Sequence, residues 1–384
     1  MVNVQSSWQL KAPKVLDLFC GCGGFSLGAA RAGFNVVAGV DFDKHAIATH
    51  ARNFKQSEHL KLDICETTGT EILEQIGLDR SELTGIIGGP PCQGFSYMGS
   101  NNANDPRNQL FRRFYEIVAE LKPQFFVCEN VPGLLHEKYK HIRVEALAIV
   151  SDDYDIVGPV KMRASDYGAP TIRTRAFFIG TLKSSPIKFQ ESDFLPSSDI
   201  VATTVEDALV GLPKKINEAW QAEEQGWRTV RANLKKTYFT ERALGVIPEG
   251  MGDVESMNRL KSKRQVSGCL GTVHLQRVIE RFAEVPEGKS DKISRAPRLN
   301  RKGFCPTLRA GTGSDRGSFQ AVRPIHPTEN RVITPREGAR LQGFPDWFRF
   351  DATKWHSFRQ IGNSVSPIMA ERVLYTIARS FIND

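Results

Sequence analysis

Val15-Leu16-Asp17-Leu18-Phe19-Cys20-Gly21-Cys22-Gly23-Gly24-Phe25-Ser26-Leu27-Gly28-Ala29-Ala30-Arg31-Ala32-Gly33 opens the regular pattern of this chain, and Val36-Val37-Ala38-Gly39-Val40-Asp41 follows it. Two short apolar runs flank an alanine-rich segment that stops at Gly33, which reads as strand, glycine turn, helix, strand. Alternation of this kind builds a parallel sheet with helices on both faces, so the expected fold class is α/β. The same pattern predicts further strands at 62–64, 83–88, 125–128 and 176–179, and helices at 109–121, 144–151 and 367–381. Thr334-Pro335-Arg336-Glu337 predicts another helix start, with Thr as N-cap, Pro in the first position and Glu in the third.

The first turn carries chemistry. Gly21, Gly23 and Gly24 let backbone approach a ligand, and free N–H groups at the helix start can hold a carboxylate or phosphate. They are out of register with Gly-x-Gly-x-x-Gly, which weakens a dinucleotide reading. Asp41 at the second strand end can accept bonds from ribose hydroxyls. Asp63 stands at the analogous end of the third strand, suited to an adenine amino group. Three successive strand ends bearing these residues point to an adenosyl ligand.

Composition sets the class. The chain has 384 residues, 40% hydrophobic and 24% charged, enough for a sizeable core and two domains. Seven cysteines, at 20, 22, 65, 92, 128, 269 and 305, form no Cys-x-x-Cys pair, which predicts reduced thiols in the cytoplasm. Cys20 and Cys22 lack a Cys or His partner at zinc spacing, so no metal is expected. Residues 1–13 hold no apolar run suited to a signal peptide, and no stretch has the length of a membrane span. Net charge is +8, concentrated between Ser256 and Ile325, where fifteen Lys and Arg face five acids, leaving −2 over the rest. Such a block predicts a polyanion-binding face.

Gly88-Gly89-Pro90-Pro91-Cys92-Gln93-Gly94-Phe95-Ser96 sets a lone cysteine on a stiff turn. Two prolines fix φ and remove two donors, and the turn follows the apolar strand 83–88, at whose carboxyl end open sheets bind their ligands. Cys92 is thus a candidate nucleophile.

Pro90-Pro91-Cys92-Gln93, Glu129-Asn130-Val131-Pro132-Gly133 and Gln360-Ile361-Gly362-Asn363-Ser364-Val365 occur in that order. In combination they resemble the DNA (cytosine-5)-methyltransferases, over about 14–180 and 331–384. The resemblance implies a Rossmann-like, S-adenosylmethionine-dependent methyltransferase sheet with a smaller, irregular target-recognition domain. The implied bounds are 14–185 and 329–384 for a discontinuous catalytic domain and 186–328 for target recognition. It implies methyl transfer from S-adenosyl-L-methionine to carbon 5 of a cytosine flipped out of duplex DNA, within a restriction-modification system. Cys92 matches the thiolate that adds to carbon 6, Glu129 the carboxyl at ring nitrogen 3 and the amino group, and Arg175 the arginine on the exocyclic oxygen, with Arg173 supporting it or touching phosphate.

By the same matching Phe19 stacks on adenine, Phe42 covers its other face, Asp41 binds ribose and Asp63 reads the amino group. Gly21, Gly23, Gly24, Ile64, Pro90, Leu110, Asn363 and Ser364 complete that pocket. Gln93, Ser96, Arg107 and Arg309 are the expected DNA contacts; Arg309 lies in Pro306-Thr307-Leu308-Arg309-Ala310-Gly311-Thr312-Gly313. The sequence departs from the family at Thr171 and Thr174, where Gln and Glu are common, and at Asp41, where Glu is commoner. Double-stranded DNA is the expected partner of a monomer in the nucleoid. An RNA cytosine-5 enzyme, a non-catalytic DNA-binding relative and an NAD-dependent dehydrogenase are the rival readings. The long recognition region opposes the first and the intact Cys92, Glu129 and Arg175 the second.

Overall fold

A computed structural model describes residues 12–91, 108–216, 223–231, 235–245, 247–310 and 323–382. Its centre is a seven-stranded sheet. In chain order come β1 (Lys14–Leu18), α1 (Gly24–Arg31), β2 (Asn35–Asp41), α2 (Lys44–Asn53), β3 (Glu58–Lys61), α3 (Gly69–Gln75), β4 (Leu83–Gly88), α4 (Asn108–Leu121), β5 (Phe125–Asn130), α5 (Lys140–Ala148), β6 (Tyr154–Arg163) and β7 (Thr174–Leu182). The spatial order is β3-β2-β1-β4-β5-β7-β6. The first five strands are parallel, so the order reverses between β1 and β4, and a crevice opens there beyond their carboxyl ends.

The sheet departs from the all-parallel expectation at one edge. β7 runs antiparallel to β5, and β6 antiparallel to β7. The strand β6 escapes sequence reading because Gly158-Pro159 interrupts it, and proline signals a loop. The molecule tolerates Pro159 because β6 is the edge strand and its register shifts between Val157 and Val160. β3 ends at Lys61, so Asp63 sits in the turn beyond it, and α5 begins four residues before the predicted 144–151.

Strand burial follows from two-sided covering. Every residue of β5 is buried, as a central strand between helical layers requires. One face packs Phe111, Phe114 and Tyr115 of α4 against Phe126 and Phe178. The other packs Phe25, Phe125 and Phe177 against the C-terminal return.

Beyond β7 the elements shorten: α6 (Val205–Leu209), β8 (Arg228–Thr229), α7 (Tyr238–Leu244), α8 (Val254–Lys263), β9 (Gln265–Val266) and α9 (Gln276–Ala283). Small apolar clusters hold parts of this region, one around Leu212, Val230, Val266 and Cys269, another around Phe282, Val285, Ala296 and Ile325. Its Phe194, Val205, Phe239, Leu299 and Leu308 join the main core instead.

The chain returns through α10 (Pro335–Gln342), α11 (Lys354–Asn363) and α12 (Pro367–Ile382). The predicted capping box is formed: the Thr334 hydroxyl accepts from Glu337 N, and Glu337 caps the Thr334 N–H. α12 packs along α1, which brings the C-terminal segment back to the first strand.

Candidate active site

The antiparallel pairing of β5 with β7 builds the first half of the site. Asn130 lies opposite Ala176, so the end of β5 faces the start of β7. Glu129 and Arg175 meet there, with Arg175 Nε 2.6 Å from Glu129 Oε1. Both are buried, at 8% and 9% exposure. Among the described residues Glu129 Oε1 nevertheless has no aligned hydrogen bond, so the contact with Arg175 is an ion pair. Arg175 Nη1 donates to its neighbour Thr174 O at 2.6 Å, which fixes the guanidinium plane.

The Pro-Pro turn is docked on this pair. Asn130 Nδ2 donates to Pro90 O at 3.3 Å, and Asn130 Oδ1 accepts from Val131 N at 2.9 Å. Gly89 passes close to the pair, because a Cβ there would lie 2.9 Å from Glu129 Oε2. The chain therefore reaches Pro91 alongside the carboxylate. Cys92, Gln93, Ser96 and Arg107 lie outside the described residues.

The second half of the site is the loop after β1. Phe19 adopts φ 63°, a left-handed conformation unusual for a side chain of its size. Gly21 N donates to Asp41 Oδ2 at 2.9 Å, and Asp43 N donates to Asp41 Oδ1 at 2.8 Å. Asp41 is thus aimed by backbone while each oxygen keeps accepting capacity. Burial, partly offset by those bonds, raises its pKa. Beside it Phe42 is 70% exposed, a largely open apolar side chain.

Asp63 Oδ1 accepts from Cys65 N at 2.9 Å, and Arg113 of α4 clamps the turn by donating to Ile64 O and Thr67 O, both at 2.9 Å. Leu110 lies one helical turn before Arg113 on α4. Gly24 faces Ser364 so closely that a Cβ there would collide with the Ser364 hydroxyl. Gln342 Nε2 holds Ser364 O at 2.8 Å, and Asn363 is exposed at the rim. An exposed aromatic ring beside an oriented carboxylate suits an adenosine, which offers a flat base and vicinal hydroxyls.

Sequence reasoning missed a buried polar chain beneath this loop. Ser26 Oγ donates to Asp17 Oδ2 at 2.5 Å and lies 3.0 Å from His50 Nε2, whose ring Nδ1 is 3.0 Å from His59 Nδ1. Desolvation pushes Asp17 from 3.8 up to about 7 and holds His50 well below its ordinary range. Burial likewise raises the thiol of Cys22 to about 12 and that of Cys20 well above normal. No cluster of metal-ligating side chains occurs among the described residues.

The basic region divides into two sets. Arg259, Arg281 and Arg301 pair with Glu255, Asp291 and Glu287, and buried Arg298 donates to the carbonyls of Phe282, His326, Pro327 and Glu329. Buried Arg298 is therefore structural, and the charges of Arg259, Arg281 and Arg301 are each met by a carboxylate. Lys261, Lys263, Arg264, Lys289, Lys292, Arg295, Lys302 and Arg309 are exposed and carry no ion pair among the described residues. No helix among the described residues is long and apolar enough to cross a membrane.

A doubly wound sheet with a nucleoside-type crevice at its switch point, opening beside a buried carboxylate–guanidinium pair, defines a Rossmann-like methyltransferase. The family model for C-5 cytosine-specific DNA methylases matches residues 13–379, and the chain belongs to that family. It methylates cytosine in DNA at carbon 5. It is 40% identical over 366 residues to the type II methyltransferase M.XorII of Xanthomonas oryzae, covering 94% of this chain and 83% of that protein. M.DdeI of Desulfomicrobium norvegicum is 32% identical over 406 residues, covering 96% and 89%. A crystal structure of a candidate DNA modification methyltransferase encoded within an E. coli prophage superposes with a TM-score of 0.88 at 51% identity, covering 97% of this chain and 100% of the other. The Dnmt2 methyltransferase of S. pombe shares the fold, with a TM-score of 0.61 at 16% identity over 96% and 98% of the two chains.

Proposed function

We propose that this chain uses S-adenosylmethionine to methylate a cytosine swung out of a short duplex site, as the modification partner of a restriction system. Type II relatives at 40% and 32% identity over nearly the whole chain support the biological setting. On this reading residues 186–328 recognise the target, and the protein acts as a monomer on the bacterial nucleoid.

The observation that carries the mechanism is the buried Glu129–Arg175 pair beside the Pro90-Pro91 turn. Carbon 5 of cytosine is too electron-poor to take an alkyl group unaided. The Cys92 thiolate adds at carbon 6 and pushes electron density toward carbon 5 and ring nitrogen 3. Glu129 shares a proton with that nitrogen and accepts from the exocyclic amino group, while Arg175 holds the exocyclic oxygen; both groups are preset, so no reorganisation is needed as charge develops. The cofactor, when bound, supplies an electrophilic methyl group on its sulfonium. Asp41 and Asp63 orient the adenosine, Phe19 and Phe42 cover its base, and Asn363 and Ser364 close the pocket. Loss of the carbon 5 proton then lets the thiolate leave. Base flipping is required because carbon 6 is inaccessible in a stacked duplex.

Bisulfite sequencing of DNA from a host expressing the protein, paired with tritium transfer to duplex DNA and to transfer RNA, tests this reading. Conversion-resistant cytosines at one short motif and label in DNA alone are expected. Label in RNA alone, or scattered protection without a motif, overturns it.

A further inference from the structure

We propose that Arg173 is a positioning residue that couples cofactor occupancy to docking of the DNA-recognition segment. The inference rests on the reading above, in which Asn363 and Ser364 close the cofactor pocket and residues 306–310 approach DNA.

Arg173 is 2% exposed, too deep for a phosphate contact in this conformation. Its Nη1 donates to Leu308 O and its Nη2 to Asn363 O, each at 3.3 Å. One planar fork therefore spans two backbone segments that the sequence separates widely. Lysine has no such fork. The two segments also touch directly, since a Cβ on Gly362 would collide with the backbone of Arg309 and Ala310.

The recognition segment is anchored on the same strand lead-in. Ile172 N donates to Cys305 O at 3.0 Å, and Cys305 N to Pro170 O at 2.9 Å. Two residues beyond Arg173, Arg175 holds Glu129. Ser364 and Val365, which follow Asn363 directly, in turn sit against Gly24 at the start of α1. Ordering Asn363 around a ligand thus restrains Leu308 through the Arg173 guanidinium, beside the direct Gly362 contact, and placing Arg309 on DNA restrains Asn363. Such an arrangement makes each ligand tighten the other by the same factor.

The test is binding linkage in the full-length protein, using S-adenosylhomocysteine as the inert cofactor probe and a duplex carrying the mapped site. Each dissociation constant is measured with and without the second ligand saturating. The wild type is expected to show mutual tightening of about tenfold, inside the usual range of about 5- to 150-fold. Arg173→Lys should bring the factor below about twofold while a thermal melt and circular dichroism show a folded protein. A wild-type factor of one, or a folded R173K protein that keeps the wild-type factor, overturns the inference.

Hydrogen exchange on the wild type covers the case in which R173K does not fold. S-adenosylhomocysteine alone should slow exchange at 305–310 and 171–173, and unchanged exchange there overturns the inference. Because these readouts need no turnover, their failure is distinct from failure of the methylation assays.

Discussion

Gly89→Ala is the substitution whose effect the structure fixes most tightly. Among the described residues the added methyl meets only the Glu129 carboxylate, at 2.9 Å from Oε2 and 4.0 Å from Cδ. Ordinary contact begins near 3.4 Å, so the carboxylate must shift by about 0.5 Å. Because that neighbour is the end of a side chain, the fold can yield cheaply, and the melting temperature should change by less than about 2 °C. Catalysis should not yield so cheaply, since a misplacement of about 1 Å costs on the order of 100-fold. Half that displacement predicts a fall in the single-turnover rate of about 10-fold or more, with duplex binding retained. Rapid-quench tritium transfer at saturating cofactor and duplex measures it. In a Glu129→Ala background the same G89A change should add nothing, as both act through one carboxylate. A G89A rate within twofold of wild type, or an equal loss in both backgrounds, would refute the role given to Glu129.

Cys92→Ser should eliminate turnover while leaving duplex affinity within a few-fold, which gel shifts and tritium release measure together. Asp17, raised to about 7 from 3.8, stays protonated in the fold where the unfolded chain has lost its proton. Its contribution to stability is therefore full below about pH 4 and declines as pH rises to about 7, by about 4 kcal/mol. His50, held neutral, contributes in the opposite sense over the acid range, so the variant-minus-wild-type difference isolates Asp17. Asp17→Asn should gain relative stability from pH 4 to 7 in urea melts, and a flat difference would contradict the burial argument. Replacing Lys261, Lys263 and Arg264 by Gln should lower the slope of log affinity against log salt by about 0.9 for each phosphate left without its cation; an unchanged slope would place the phosphate-binding cations elsewhere.

The first β-α-β unit, the glycine turn and the capped start of α10 were legible because each is encoded within a few residues of itself. Parallel α/β alternation leaves the same imprint, so the crevice at the end of β1 followed directly. β6 was hidden because Gly158-Pro159 breaks the local signal and only an edge position accommodates it. The meeting of Glu129 with Arg175 depends on an antiparallel register that neither segment announces, and only the resemblance to a family pointed to it. Arg173 is less legible still, with partners 135 and 190 residues away. The Asp17–Ser26–His50 chain carries no motif, because Asp, Ser and His occur as readily in caps and turns. Charge counting located the basic region and could not separate Arg298, which is buried, from Lys261, which is exposed.

A duplex with 5-fluorocytosine at the mapped position interrogates the thiolate step most directly, since fluorine at carbon 5 cannot leave as a proton does and the sulfur stays bonded to the ring. With S-adenosylmethionine present, the wild-type protein should give a protein–DNA band that survives denaturing electrophoresis, and peptide mapping should place the linkage on Cys92. Methylation of the ordinary duplex without any such band, or a linkage at another side chain, would contradict the mechanism.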